Sequence, residues 1–165
     1  MDITTLKTNA MEANKSEKGA IKYLVDCLYV YQQGNDDALG YMGYVLSKSF
    51  CNEDSSSPSG FVPNPRYTNL IKGLRETQRR NSILSTMGGT WQNDYKDVDP
   101  DNYEIKFTKE MMDGKETRFF IKAGGRDREF PINVRKNNKG EWKIMGGLST
   151  LCMDVRKTKT ETEDF

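Results

Sequence analysis

Tyr103-Glu104-Ile105-Lys106-Phe107-Thr108 opens the stretch that decides the fold, and Glu141-Trp142-Lys143-Ile144-Met145 closes it. Between them lie Arg118-Phe119-Phe120-Ile121-Lys122 and Glu129-Phe130-Pro131-Ile132-Asn133-Val134-Arg135. In each run an apolar residue falls on every second position, the period of a strand with one buried face, with Phe120 and Met145 apolar on the opposite face as well. Asp113-Gly114, Gly124-Gly125 and Asn137 to Gly140 separate the runs with turn chemistry. Pro131 has no N–H to donate, so its strand is expected to be bulged there or to lie at an edge. A second apolar run, Leu151, Met153 and Val155, predicts a further strand after Gly146-Gly147.

Upstream the rhythm is helical. Ser16 and Glu17 start a helix whose face is Ile21, Leu24, Val25, Leu28 and Tyr31, with Gly34 as its stop. Asn35 caps a second helix with Leu39, Met42, Val45, Leu46 and Phe50 on one side, in which Gly40 and Gly43 permit close packing. Asn64-Pro65 starts a third, marked by Tyr67, Leu70, Ile71 and Leu74. Asn52 to Pro63 reads as a loop, and Thr90-Trp91 as a short strand. Helices first and strands afterwards predict an α+β domain: three N-terminal helices packed on a curved antiparallel sheet of four to six strands. Residues 1–15 are expected to form a disordered arm, 16–157 the domain and 158–165 a disordered tail.

Composition excludes several function classes. There is no histidine in 165 residues. That removes the usual general base of hydrolases and most zinc chemistry, so no metal and no cofactor is expected. Cys27, Cys51 and Cys152 are an odd, widely spaced set and read as free structural thiols. No run approaches the length of a membrane span. The compartment stays open between the cytoplasm and, after loss of a signal peptide, the exterior. Net charge is +1, and Tyr103 to Lys157 holds 13 basic against 8 acidic residues. That is a mild basic face, so nucleic acid is not the expected partner.

The first helix from Glu17 to Gln33, the Asn35-Asp36-Asp37-Ala38-Leu39 restart and the final Gly140-Glu141-Trp142-Lys143-Ile144 strand running into Leu151-Cys152-Met153-Asp154-Val155 resemble the NTF2-like (SnoaL-like) α+β cone. The resemblance lies in layout over residues 17 to 157 and implies a cavity between sheet and helices. Such folds host enzymes, ligand binders and assembly domains. The enzymes of the group often use an Asp with His or Tyr. Lacking His, this chain departs from that pattern.

The resulting expectation is a non-catalytic binding module for a small, apolar ligand or a protein partner. Tyr23, Tyr41, Tyr44, Trp91 and Trp142 are candidate cavity aromatics, against the plainer reading as core. Arg126 and Arg128 are a candidate anion site at a hairpin tip, against a solvated turn whose charges pair. Arg75, Arg79 and Arg80 could clamp a carboxylate or cover a helix surface. Asp94, Asp97, Asp99 and Asp101 lack the glycine and closing glutamate of a calcium loop. Phe120 and Met145, opposite the core face, suggest a homodimer through the sheet. The alternatives are an enzyme with a buried Asp or Glu and a Tyr, and a weak nucleic-acid or phosphate binder.

Overall fold

The computed structural model describes residues 1–77 and 79–165. It is an α+β fold with seven helices, a four-stranded antiparallel sheet and a two-stranded hairpin. The helices are α1 (Ile3–Asn9), α2 (Glu17–Gln32), α3 (Leu39–Met42), α4 (Pro65–Lys72), α5 (Ser82–Thr86), α6 (Leu148–Leu151) and α7 (Lys159–Glu163). The strands are β1 (Cys51–Glu53), β2 (Phe61–Pro63), β3 (Phe107–Asp113), β4 (Glu116–Ile121), β5 (Phe130–Lys136) and β6 (Trp142–Gly146). The large sheet runs β3-β4-β5-β6. No helix among the described residues is long and apolar enough to cross a membrane.

The alternation in sequence becomes two faces. Phe119, Ile121, Phe130, Ile132, Val134 and Ile144 are buried on the inner face. α2 lies against that face at β5 and β6. It is the centre of the molecule rather than a cover, and it is buried nearly all round, so Asp26 and Cys27 are interior as well as Leu24 and Leu28. Each fully buried Leu or Ile of this set is worth about 1.5–3 kcal/mol of transfer free energy.

Several expected elements come out differently. The N-terminal arm is helix α1, capped by Asp2, with Leu6 fully buried. The Met1 amino group sits 2.6 Å from Asp101. The second helix starts at its Asn35 cap but shrinks to a 3-10 turn, Asp36–Ala38, and the single turn of α3. Gly40 and Gly43 are why: a Cβ on Gly40 would lie 2.9 Å from Pro58 Cδ, and one on Gly43 2.8 Å from Phe61 Cβ. The chain there packs on the Asn52–Pro63 segment, which is not a bare loop but the β1–β2 hairpin. Ser57 and Ser59 hydroxyls hold its turn by donating to the Phe61 and Gly40 carbonyls, at 2.7 and 2.6 Å.

The third helix begins at Asn64-Pro65 as expected and stops at Lys72, before a 3-10 turn and the separate α5. Thr90-Trp91 leads a 3-10 turn, not a strand. The strand expected from Tyr103 starts at Phe107. Pro131 is on an inner strand, yet β6 pairs with β5 only from Asn133 onward, so the missing N–H costs no ladder bond there. The last expected strand does not form: Leu151 closes helix α6, and Met153 to Val155 are irregular. Gly147, at φ 103°, turns the chain, and Leu148, Leu151 and Cys152 then bury at helical spacing. The tail carries α7, whose Thr158 forms a capping box with Glu161. Thr160 donates to the Asp94 carboxylate.

Candidate binding groove

A groove of about 600 Å³ opens beside β6, between the β5–β6 turn and the β1–β2 hairpin. β6 supplies Lys143 and Met145 to it, and β5 supplies Arg135. Lys136 ends β5, the turn adds Lys139 and Glu141, and Lys48, Phe61 and Tyr44 come from the facing side. The wall is closed at β6 because the preceding chain completes the sheet. Ile144 N–H donates to the Val45 carbonyl at 2.7 Å, and Ser47 N–H donates to the Ile144 carbonyl at 3.0 Å. Trp142 N–H donates to the Asn14 carbonyl at 2.9 Å.

Five basic residues therefore line one hollow, Lys136 with its ammonium turned to the inner face over Trp142. Among the described residues, Lys48, Arg135, Lys136, Lys139 and Lys143 make no ion pair within 4.0 Å. Among the described residues Glu141 is the groove's only acidic residue, and its carboxylate is hydrogen-bonded by two amides. Asn137 Nδ2 donates to it at 2.9 Å and Asn14 Nδ2 at 3.2 Å. The Asn137 bond foremost, then the nearby Lys143 and Lys139 charges and the Asn14 bond, keep its carboxyl below the usual glutamate range.

Lys143 is the fixed charge at the centre. Its ammonium donates to the Tyr44 carbonyl at 2.8 Å and the Gly43 carbonyl at 3.3 Å. Lysine has three donors, so one is left over. Burial pulls its pKa below the ordinary lysine value. Lys48 lies over the Phe61 ring at 5.6 Å, and Lys136 over Trp142 at 5.2 Å. Burial pushes the nearby Cys51 thiol up to about 11. That keeps it protonated and poorly nucleophilic at neutral pH.

The aromatic residues singled out in the sequence do not share a cavity. Tyr23 is core, its hydroxyl donating to the Leu6 carbonyl at 2.9 Å. Tyr41 is buried 6.3 Å from Tyr44, which lines the groove and donates to the Pro58 carbonyl at 2.7 Å. Trp142 stands on the inner side of β6 under Lys136. Trp91 lies far along the chain under the Arg156 guanidinium, 4.1 Å away.

The two hairpin arginines are not brought together either. Arg126 folds inward over Phe130 and donates through Nη2 to the Thr150 and Met153 carbonyls at the end of α6. Arg128 is exposed. Arg75 closes the end of α2, donating to the Tyr31 carbonyl at 2.7 Å and pairing with Asp36. Arg79 pairs with Asp154 at 2.9 Å. The four loop aspartates serve separate partners: Thr160, Thr90, the Asp101 N–H and the Met1 amino group.

One buried acid stands apart from the groove. Asp26, 3% exposed, accepts from Tyr103 Oη and from Lys22 Nζ at 3.1 Å. Burial raises its carboxyl above the usual aspartate range despite those partners. The pair ties α2 to the start of the sheet half.

A family model described as a domain of unknown function, DUF6935, matches residues 2–159. The chain belongs to the DUF6935 family. The match includes α1, so the N-terminal helix lies within the family's unit. Comparisons with curated proteins and with solved structures find no match. The groove of this DUF6935 domain was not foreseen as a site. Its signal was present as Arg135-Lys136, Lys139 and Lys143, a basic run around one turn. Only the pairing of β5 with β6 sets Arg135 opposite Lys143 on the outer face.

Proposed function

We propose that this DUF6935 domain is a non-catalytic binding module that holds a small anionic ligand in the groove beside β6. The observation that carries the reading is a hollow of about 600 Å³ lined by Lys48, Arg135, Lys139 and Lys143, none of which makes an ion pair within 4.0 Å among the described residues. Phe61, Leu46 and Met145 add an apolar wall for the organic part of such a ligand. An anion would take the free donor of Lys143 and offset its desolvation. We include an NTF2-like relationship in the proposal, supported by the layout of helices preceding a sheet with α2 on one face. Binding is preferred to catalysis because the buried Asp–Tyr pair is consumed in packing: neither Asp26 nor Tyr103 lines the groove.

The test is a titration of the domain with inorganic pyrophosphate, followed by backbone NMR shifts, beside native mass spectrometry of the purified protein. Shifts confined to β6, the β5–β6 turn and the hairpin, weakened by salt and lost in Lys143→Met, are the expected result. Absence of shifts together with a bare native mass, or equal binding by Lys143→Met, overturns the reading.

A further inference from the structure

The sheet's two edges are treated differently. The β6 edge is covered by Asn14 and by Val45–Ser47. The β3 edge has no neighbour among the described residues. Six of its seven residues are exposed. Met111 and Met112 are 45% and 71% exposed, one on each face of the sheet. A bare edge of this kind is a template for another strand.

We infer that β3 pairs antiparallel with β3 of a second copy, about a two-fold axis through Met111. The residues themselves select this register. A two-fold axis perpendicular to the sheet is needed to join two such edges, and opposite residues must then share a face. β3 puts Lys109, Met111 and Asp113 on the outer face, across from Phe120, Arg118 and Glu116, and Glu110 and Met112 on the inner face. Three symmetric registers overlap five strand residues or more. Centring on Lys109 sets lysine against lysine, and centring on Glu110 sets glutamate against glutamate. Both also run through the bulge between Phe107 and Lys109. Centring on Met111 uses only the regular part, Lys109 to Asp113. It places Lys109 of each copy opposite Asp113 of the other, Glu110 opposite Met112, and Met111 against itself. Opposite charges across a strand pair favour it, and like charges oppose the other two.

The contact is through the edge, not the sheet face. Phe120 is half-buried with Lys109 over its ring at 5.4 Å, and Met145 lines the groove.

Sedimentation equilibrium over a concentration series tests it, with circular dichroism to show that each variant keeps the fold. The wild-type chain should dimerise. Met111→Lys and Met111→Glu should each weaken the dimer on the order of tenfold or more, because like charges meet on the axis. An equimolar mixture of the two should dimerise again as a heterodimer. A wild-type chain that stays monomeric overturns the inference. So does a dimer indifferent to both variants, or a mixture that fails to recover.

Discussion

Asp26 shows what a single residue settles. Its carboxyl sits in the interior with Tyr103 and Lys22 as partners, and burial still outweighs them. The folded state therefore holds that proton more tightly than the unfolded chain does. The stability it contributes is fully present below the ordinary aspartate value and is lost as pH rises through the raised folded value. We expect urea unfolding of wild type, relative to Asp26→Asn, to favour wild type progressively as pH falls from 7 toward 4. A difference that is flat with pH would refute this. Asp26→Leu should cost about 1–3 kcal/mol by leaving the Tyr103 hydroxyl only the Lys22 carbonyl, 3.5 Å away, as acceptor. Arg126 makes the same kind of point. Removing its side chain takes a charged donor from the Thr150 and Met153 carbonyls, which keep the Met153 N–H and the Ser82 hydroxyl, so Arg126→Met should cost about 0.5–1.5 kcal/mol in urea unfolding. The exposed Arg128→Ala should change stability by less than about 0.5 kcal/mol.

Elements are decided by what packs on them. α2 is long and apolar on enough of its surface to be recognised from sequence, and its start at Ser16 is as read. Leu28→Ala, at a fully buried position, should cost about 2–5 kcal/mol. The short elements behaved otherwise. The periodicity from Asn35 to Phe50 suits a helix, yet Gly40 and Gly43 let the hairpin approach and the helix ends after one turn. Adding a methyl at Gly43 should push β2 away. We expect Gly43→Ala to speed hydrogen exchange in β1–β2 while leaving β4 and β5 protected. Equal protection throughout would show that the contact yields at no cost. Leu148, Leu151 and Cys152 against Leu151, Met153 and Val155 is a conflict of two periods within eight residues. Gly147 resolves it by turning the chain before a strand can form.

At the scale of the whole molecule the charge is nearly balanced, at +1, yet its distribution is not. Acidic residues of the outer sheet face find partners: Asp113 lies 3.7 Å from Arg118, and Glu116 accepts from Asn133 at 3.1 Å. Five of the basic residues that make no ion pair among the described residues line the β6 groove. Anion affinity there should hold steady at neutral pH and fall in alkaline solution as Lys143 loses its proton, beginning below the ordinary lysine value of 10.5. Calorimetric titration with pyrophosphate between pH 7 and 10 checks this, with Lys143→Arg expected to abolish the decline.

The sequence by itself determined the α+β class, the four strands of the main sheet with their inward and outward faces, the central helix, and the caps at Ser16, Asn35 and Asn64. These follow from local periodicity and local hydrogen bonding, which need no knowledge of the rest of the chain. The tertiary structure alone decided that Arg126 turns inward, that the N-terminal stretch docks as α1, that the hairpin truncates α3, and that Lys48 joins Lys143 across a groove. Those outcomes depend on contacts between residues distant in sequence. Local pattern carries no information about them, because the energy that selects them exists only once the packed surfaces have met.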